Sequence, residues 1–159
     1  MSMVPIPPTA LVAGLSGQYL LSRHRKVSPI SVVFAGAVSL ASGSLAVGSL
    51  REFLRQRTSF DPVDVEAPTS LIVSGPNRLS RNPMYVGMAG LLVSQAILRR
   101  STIAVLPVAA FVLVIDRLQI PAEESALGAK FGADYSRYRR SVPRWLGRSS
   151  LKGFGREAS

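Results

Sequence analysis

The sequence contains no cysteine and only one histidine, His24, among its 159 residues. The absence of thiols excludes a disulfide framework, a thiolate nucleophile and any zinc or iron–sulfur site built on cysteine. A single histidine also excludes a histidine-rich metal site, so we predict that the protein holds no metal. Charged residues are scarce as well, at 18% of the chain, against roughly a quarter in an average globular domain.

Acidic residues are fewer than basic ones. The chain has 19 Lys and Arg against 9 Asp and Glu, which gives a net charge of +10, while 47% of its residues are hydrophobic. A chain this apolar is not typical of a disordered nucleic-acid-binding tail. No basic groove with interleaved aromatic residues supports nucleic-acid binding either. We therefore predict no nucleic-acid partner.

Long uncharged runs take up much of the chain. Residues 1–22 and 27–50 carry no charge, and neither do the shorter runs 83–98 and 101–115. Because a helix needs roughly 20 mostly apolar residues to cross a hydrocarbon core of about 30 Å, the first two runs are long enough to span a membrane. The two shorter runs predict a short helical hairpin.

These runs predict an all-α, polytopic integral membrane protein that forms a single membrane domain over residues 1–159. We expect about four transmembrane helices, of which the last two form the short hairpin. The predicted segments are spans at about 4–21, 28–50, 83–98 and 102–120, a cytoplasmic loop at 51–82 and a cytoplasmic C-terminal helical segment at 121–159.

The basic residues are unevenly divided between the two sides of such a bundle. Fourteen lie on the side of the two termini and five on the other side. By the positive-inside rule, both termini are predicted to be cytoplasmic. All nine acidic residues lie on that same side, so an active site is expected there. Most of the basic residues are expected to form a rim against lipid headgroups.

Small residues recur in the second predicted span. Ala35, Ser39 and Gly43 lie four residues apart, as do Ser44 and Gly48. Small side chains at this spacing allow helix backbones to approach closely in lipid. The pattern favours packing between helices of the same chain over dimerisation, and it leaves the oligomeric state undefined.

Two polar clusters flank the predicted hairpin. The sequence GPNRLSRNPMYVG at residues 75–87 places Arg81 and Asn82 at the N-terminus of the third span, where backbone N–H groups and the helix dipole favour anions. The paired acids Glu123 and Glu124 follow the fourth span. Paired acids at a membrane surface otherwise rich in arginine need partners, and a bound cation is one candidate.

A third cluster lies in the C-terminal segment. A helical pattern of residues spaced three or four apart predicts one continuous helix face that carries a carboxylate, two apolar side chains and two phenols. This face consists of Glu124, Leu127, Phe131, Tyr135 and Tyr138. The same pattern also fits an amphipathic helix that lies on the bilayer. Arg144 and Trp145 follow it.

Taken together, the motifs GPxRxxRNPxYxG, EExxLxxxFGxxYxxY and VxRW resemble the isoprenylcysteine carboxyl methyltransferase family in its short bacterial branch, and more distantly the phospholipid N-methyltransferases. The resemblance covers about residues 58–146 and includes the sequence TSFDP at Thr58–Pro62. It implies an integral membrane methyltransferase of the bacterial inner membrane. It also implies that S-adenosylmethionine binds on the cytoplasmic side, in a pocket formed by the last two spans and the C-terminal segment.

The resemblance also implies which residues form the site. The implied catalytic residues are Arg81, Glu124 and Arg144. The implied cofactor-binding residues are Arg78, Asn82, Tyr85, Gly87, Glu123, Glu124, Tyr135 and Tyr138. Many relatives have His at position 82, Tyr at 77 and Pro at 147, where this chain has Asn82, Asn77 and Gly147. Because an amide cannot act as a base near neutral pH, a mechanism that requires an imidazole at position 82 is disfavoured.

The chemistry of the cofactor suits these residues. S-adenosylmethionine carries a sulfonium, an ammonium and a carboxylate. An acid of the pair can offset the positive charges, a tyrosine can face the sulfonium, and Arg81 with the helix N-terminus can hold the carboxylate. Of the two acids we favour Glu124 for the pocket, because it shares the predicted helix face with Leu127 and Phe131.

The methyl acceptor is expected to be lipophilic and to arrive from the bilayer. A carboxylate acceptor needs only an arginine to place it, whereas an amine needs a base to remove a proton. The arginine-rich surroundings therefore favour a carboxylate, as in isoprenylcysteine carboxyl O-methylation. Two alternatives stay open: the same cofactor with a phospholipid amine or a small thiol as acceptor, and a non-catalytic membrane protein in which the motifs only pack the hairpin.

Overall fold

A computed structural model describes residues 6–57, 71–147 and Ser150. These residues form helices and connecting turns, with no strand among them, so the all-helical class predicted from the sequence is confirmed for this part of the chain. The helices are α1 (Ile6–Ser22), α2 (Pro29–Arg57), α3 (Pro83–Leu98), α4 (Val105–Val114) and α5 (Ile120–Ser141). Thr58–Pro62 and the residues from 151 onward, which the resemblance and the predicted C-terminal segment include, lie outside the described residues.

Among the described residues, two helical stretches are long and apolar enough to span a membrane. One is Pro29–Arg55, within α2, and the other is the continuous run Val105–Ser141, which includes α4 and α5. Helix α3 is apolar but has 16 residues, which gives a length of about 24 Å at 1.5 Å per residue. The count of four spans and the cytoplasmic position of the termini therefore stay predictions.

Large apolar side chains cover the outer faces of several helices. They are more than half exposed on α1, α2 and α4, for example Leu20, Ile30, Phe34, Leu40 and Leu106. Soluble monomers rarely expose contiguous apolar surface of this kind, because its contact with water is unfavourable. The exposed apolar faces and the two long helices support membrane association.

A π-helical turn at Ile115–Gln119 joins α4 to α5. The backbone N–H of Ile120 donates to the carbonyl of Ile115, five residues earlier. Pro121 follows this widened turn; it has no N–H and its ring crowds the carbonyl one turn before it. The π turn accommodates the proline, so the helix continues without a break from residue 120 to residue 121, where the sequence predicted the end of a span and the start of a separate segment.

The described residues divide into two compact units. The first unit contains the residues up to Ser44 together with Gly87–Ala122, and the second contains Leu45–Val86 together with the residues from Glu123. The division falls within helices rather than in loops, so each unit combines segments that are distant in the sequence.

In the first unit, neutral polar side chains join the helices. Gln18 is fully buried, and its Nε2 donates to the carbonyl oxygens of Leu92 and Ala104 at 2.9 and 2.7 Å. The hydroxyls of Ser39 and Ser94 lie 2.6 Å apart. Such hydrogen bonds give helices in an apolar surrounding specific contacts that hydrophobic packing alone does not supply.

Small residues bring α2 and α3 close together in this unit. A Cβ atom added at Gly90 would lie 2.1 Å from Ser42 Oγ, so only glycine fits there. Ala35 is buried, and its carbonyl accepts a hydrogen bond from Ser94. The predicted packing of small residues within the chain is therefore confirmed at Ala35 and Ser39, whereas nothing lies within 4 Å of a Cβ at Gly43.

Candidate active site

The loop before α3 is fixed by the segment that follows α5. The backbone N–H of Arg81 donates to the carbonyl of Pro143 at 2.9 Å. The carbonyl of Arg144 accepts hydrogen bonds from Ser80 Oγ at 2.8 Å and from Asn82 Nδ2 at 3.0 Å. The Asn82 N–H also donates to Ser80 Oγ at 3.0 Å. These bonds determine where α3 begins and place Arg81 directly before it.

Three charged side chains form an ion-pair cluster, which we call the arginine–glutamate cluster: Arg81, Glu124 and Arg144. Glu124 Oε1 lies 2.7 Å from Arg81 Nη1, and Arg144 donates to the same carboxylate from Nε at 3.2 Å and from Nη2 at 2.8 Å. The side chains are 9% (Arg81), 10% (Glu124) and 31% (Arg144) exposed. The structure thus brings together the three residues that the resemblance implies as catalytic.

Arg81 makes a further contact with α5 but keeps one nitrogen without a partner. Its Nη1 donates to the hydroxyl of Tyr135 at 3.2 Å. Its Nε is buried and has no hydrogen-bond partner within the described parts of the chain. A buried N–H without an acceptor costs on the order of 1–3 kcal/mol. An acceptor from a ligand would remove this cost.

A cavity of about 380 Å³, which we call the site cavity, includes Arg81 in its lining. This volume lies within the usual range for a small-molecule site. Five of the residues implied by the resemblance line it: Arg81, Asn82, Tyr85, Glu123 and Tyr138. The other described lining residues come from α2, the segment before α3, the start of α3, and α5, and are Ser49, Phe53, Leu71, Ile72, Asn77, Pro83, Met84, Ala126 and Leu127.

The two adjacent acids have different surroundings. Glu123 lines the site cavity, and its Oε1 accepts a hydrogen bond from the hydroxyl of Tyr85 at 2.5 Å. Glu124, which the sequence analysis favoured for the pocket, belongs to the arginine–glutamate cluster and is not among the described lining residues. Successive residues of an α-helix point about 100° apart, so neighbouring acids face different surroundings.

Helix α5 is kinked at Gly132. This residue has φ 48° and ψ −113°, which is not a helical conformation and which glycine adopts most easily. The prediction of one continuous helix face from Glu124 to Tyr138 is therefore wrong, because residues on the two sides of the kink do not share a helical register. The sequence pattern alone could not show this, since glycine is also compatible with a helix.

The two tyrosines after the kink are both buried but contact different groups. Tyr138 lines the site cavity, and its hydroxyl donates to the carbonyl of Asn77 at 2.7 Å. Tyr135 accepts a hydrogen bond from Arg81 and is not among the described lining residues. The ring centroids lie 6.4 Å apart. Of these two tyrosines, Tyr138 is therefore the one that a ligand in this cavity can contact.

Besides Glu124, Arg144 and Tyr135, which belong to the arginine–glutamate cluster or contact it, two more of the implied residues do not line the site cavity: Arg78 and Gly87. Arg78 is exposed at the end of a 3₁₀ turn, Gly75–Arg78, and Gly87 is buried within α3; neither is among the described lining residues. Sequence reasoning missed Ser80 and Phe53. Ser80 lies inside the quoted motif, so its position pointed to the site, whereas no motif marks Phe53.

A second cavity, of about 570 Å³, shares Leu71 and Tyr138 with the site cavity. Its other described lining residues are Val73, Phe131, Asp134, Arg137 and Ser141. Asp134 and Arg137 form an ion pair at 3.5 Å, with side chains 72% and 77% exposed. This cavity therefore combines apolar surface with a solvent-exposed pair of opposite charges.

Fold and site together define a helical protein with apolar outer faces and a small-molecule cavity beside an ionic cluster. The sequence profile of the phospholipid methyltransferase family matches residues 31–134, more than half of the chain. The chain therefore belongs to the phospholipid methyltransferase family, and the resemblance stated above is confirmed at this level. An uncharacterized protein of Haemophilus influenzae is 40% identical over 63 residues, which are 40% of this chain and all of the relative. No solved structure matches the chain.

Proposed function

We propose that the protein is an S-adenosylmethionine-dependent membrane methyltransferase that acts on a lipophilic acceptor, with a carboxylate as the first candidate. Membership of the phospholipid methyltransferase family supports a membrane methyltransferase. The choice of cofactor and acceptor rests on the chemistry of the site cavity and on the resemblance to the isoprenylcysteine carboxyl methyltransferases.

One observation carries the choice of cofactor. Arg81 lines the site cavity, is nine-tenths buried and has an Nε without a hydrogen-bond partner among the described residues, while Glu123 lies on the same cavity. The amino-acid end of S-adenosylmethionine carries a carboxylate and an ammonium next to each other. A guanidinium binds the first through charge-assisted hydrogen bonds, and a carboxylate binds the second. The residues present therefore fit this cofactor.

The other lining residues suit the remaining parts of the ligand. Phe53 and Leu127 supply apolar surface for a heterocyclic base, and the ring of Tyr138 supplies an aromatic face for a cation. Tyr85 holds Glu123 by a hydrogen bond and so restricts the direction of its carboxylate. When bound, the cofactor supplies a methyl group on a positively charged sulfur that a nucleophile can attack.

A carboxylate is the first candidate for the acceptor on chemical grounds. Such an acceptor is already deprotonated, so no base would be needed: its oxygen would bond to the methyl carbon while the bond from that carbon to the sulfonium sulfur breaks, and the sulfur would take the electron pair. Much of the rate then comes from aligning the two reactants. The second cavity, which shares Leu71 and Tyr138 with the site cavity, offers space for the polar end of an acceptor.

A phospholipid amine is the second candidate. The description of the matching family favours it, and so does the presence of Glu123 on the site cavity. An amine acceptor must lose a proton when its N–C bond forms, and a carboxylate on the cavity wall can accept that proton.

A binding titration tests the choice of cofactor. The protein is purified in detergent micelles and titrated with S-adenosylmethionine by calorimetry. We expect Arg81→Gln to weaken binding by about tenfold or more, because it removes a charge-assisted contact. Arg139→Gln, at an exposed position of α5, serves as the matched control and should leave the affinity unchanged. The proposal is refuted if the unaltered protein does not bind the cofactor.

A second measurement separates the two acceptors. Methyl-labelled cofactor is incubated with the protein and either phosphatidylethanolamine vesicles or a prenylated cysteine with a free carboxylate. A methyl ester releases labelled methanol in base, whereas an N-methyl group does not. Base-labile label in the prenylated compound supports the carboxylate, and base-stable label in the phospholipid supports the amine.

A further inference from the structure

Arg144 contacts the arginine–glutamate cluster through both its side chain and its backbone. The side chain donates to both oxygens of Glu124, from Nε at 3.2 Å and from Nη2 at 2.8 Å. The backbone carbonyl accepts hydrogen bonds from Ser80 and Asn82, the two neighbours of Arg81 in the sequence. Arg144 is not among the described residues that line the site cavity.

The side-chain contacts of Arg144 fix the direction of Glu124. Two nearly parallel hydrogen bonds from one guanidinium hold a carboxylate in a defined plane, which a single bond does not. Glu124 in turn lies 2.7 Å from Arg81 Nη1. Because Oε1 of Glu124 is shared between the two arginines, the position of the Arg81 guanidinium depends on the pair that Arg144 forms with Glu124.

The charges of the cluster also make the properties of Arg81 depend on Arg144. Two arginines share one carboxylate, so Arg81, Glu124 and Arg144 together carry a net charge of +1. Without Arg144, the carboxylate of Glu124 would neutralise Arg81 alone, and the attraction of Arg81 for an anion would fall. With Arg144 in place, Arg81 keeps positive charge for a ligand on the site cavity, which it lines.

We infer that Arg144 is a positioning residue, which orients Arg81 and preserves its charge through Glu124, and that it does not bind the methyl acceptor. This inference rests on the proposed function, because it concerns the affinity of Arg81 for the cofactor carboxylate. It changes the role that the resemblance implied, since the Nε and Nη2 of Arg144 hold Glu124 and Arg144 is not among the described residues that line the site cavity.

A double-mutant cycle tests the inference. We expect Arg144→Gln to raise the dissociation constant of S-adenosylmethionine by about tenfold, and to have no further effect in a Glu124→Gln background, because residues that act through one partner are not additive. Arg140→Gln, at an exposed position of α5, should have no effect in either background. An unchanged dissociation constant in Arg144→Gln, or equal effects in both backgrounds, would overturn the inference.

A readout without the cofactor separates this inference from the proposed function. The Nε–Hε resonance of Arg81 is recorded by NMR on the full chain in micelles and assigned by its loss in Arg81→Lys. We expect Arg144→Lys to shift this resonance and Arg140→Lys to leave it in place. If the unaltered protein binds no cofactor but the resonance shifts, the proposed function fails and the positioning role stands. If only the unfolding temperature falls while the resonance stays, Arg144 is merely structural and the inference is wrong.

Discussion

Each of the two compact units has a different kind of polar group in its internal contacts. In the first unit, hydrogen bonds between distant parts of the chain come from neutral side chains such as Gln18, Ser39 and Ser94. In the second unit, a buried carboxylate pairs with two arginines. A neutral amide or hydroxyl costs much less to transfer into an apolar surrounding than a charge does. Among the described residues, the buried carboxylate that pairs with two arginines lies in the unit that contains the site cavity.

This difference between the units also bears on the role of the buried charges in the second unit. A buried ion pair contributes little net stability, because the cost of removing the charges from water offsets their attraction. Helices that need only to be joined can use serine and glutamine, as the first unit does. The second unit keeps Arg81, Glu124 and Arg144, and the proposed function gives these charges a role that stability does not require.

Removal of the shared carboxylate is expected to have the largest effect. Glu124→Ala leaves Arg81 and Arg144 without their common partner, and breaking a buried pair in this way destabilises a protein by about 3–5 kcal/mol. The measurement is the free energy of unfolding in micelles. Asp134→Ala, which removes an exposed acid of the same helix, is the control and should cost almost nothing. If the two variants lose the same free energy of unfolding, buried and exposed acids do not differ in the way we expect.

The kink in α5 should show the next largest effect. Gly132→Ala forces a side chain into a backbone conformation with φ 48°, which costs about 1–3 kcal/mol. Nothing lies within 4 Å of the added Cβ, so the cost comes from the backbone alone. Gly128→Ala is the control, because its Cβ would make ordinary contact with Tyr135 at 3.8 Å and alanine favours a helix. If Gly132→Ala is as stable as Gly128→Ala, the fold does not require the kinked backbone conformation at position 132.

Much of the fold followed from the distribution of charges in the sequence. The predicted span 83–98 coincides with α3, and α1 and α2 begin within two residues of the first two predicted spans. Uncharged runs define such helices because a charge inside an apolar segment is costly. The π turn before Pro121 could not be predicted in this way, because proline can also end a helix.

The sequence motifs identified most of the residues at the site, but they could not show which of these residues contact one another. The quoted motifs contain Arg81, Asn82, Tyr85, Glu123 and Tyr138, all of which line the site cavity. Which of the two adjacent acids faces the cavity depends on the rotation of α5, which no motif encodes. The pairing of Arg144 with Glu124 joins residues 20 positions apart, on either side of the kink, and helical periodicity does not extend across it.

A change in the first unit should affect stability only slightly and ligand binding not at all. Gln18→Leu removes two hydrogen bonds to backbone carbonyls, but it also removes Oε1, which is buried without a partner among the described residues. Side-chain hydrogen bonds between membrane helices average about 0.6 kcal/mol, so we expect a loss of about 1 kcal/mol or less. The dissociation constant of S-adenosylmethionine should stay unchanged, and a weaker affinity would show that the first unit contributes to the site.

The smallest effect is expected at the exposed pair between Arg137 and Asp134. Its partners have the same chemistry as Arg81 and Glu124, but they lie 3.5 Å apart and are mostly exposed. Water and salt screen such a pair, and holding two long side chains together costs entropy, so Arg137→Ala should change the free energy of unfolding by less than about 0.5 kcal/mol. Unfolding at low and high salt checks this value. A loss above about 1 kcal/mol would mean that the exposed pair contributes as much as a buried pair could, and the contrast drawn between buried and exposed charge would then fail.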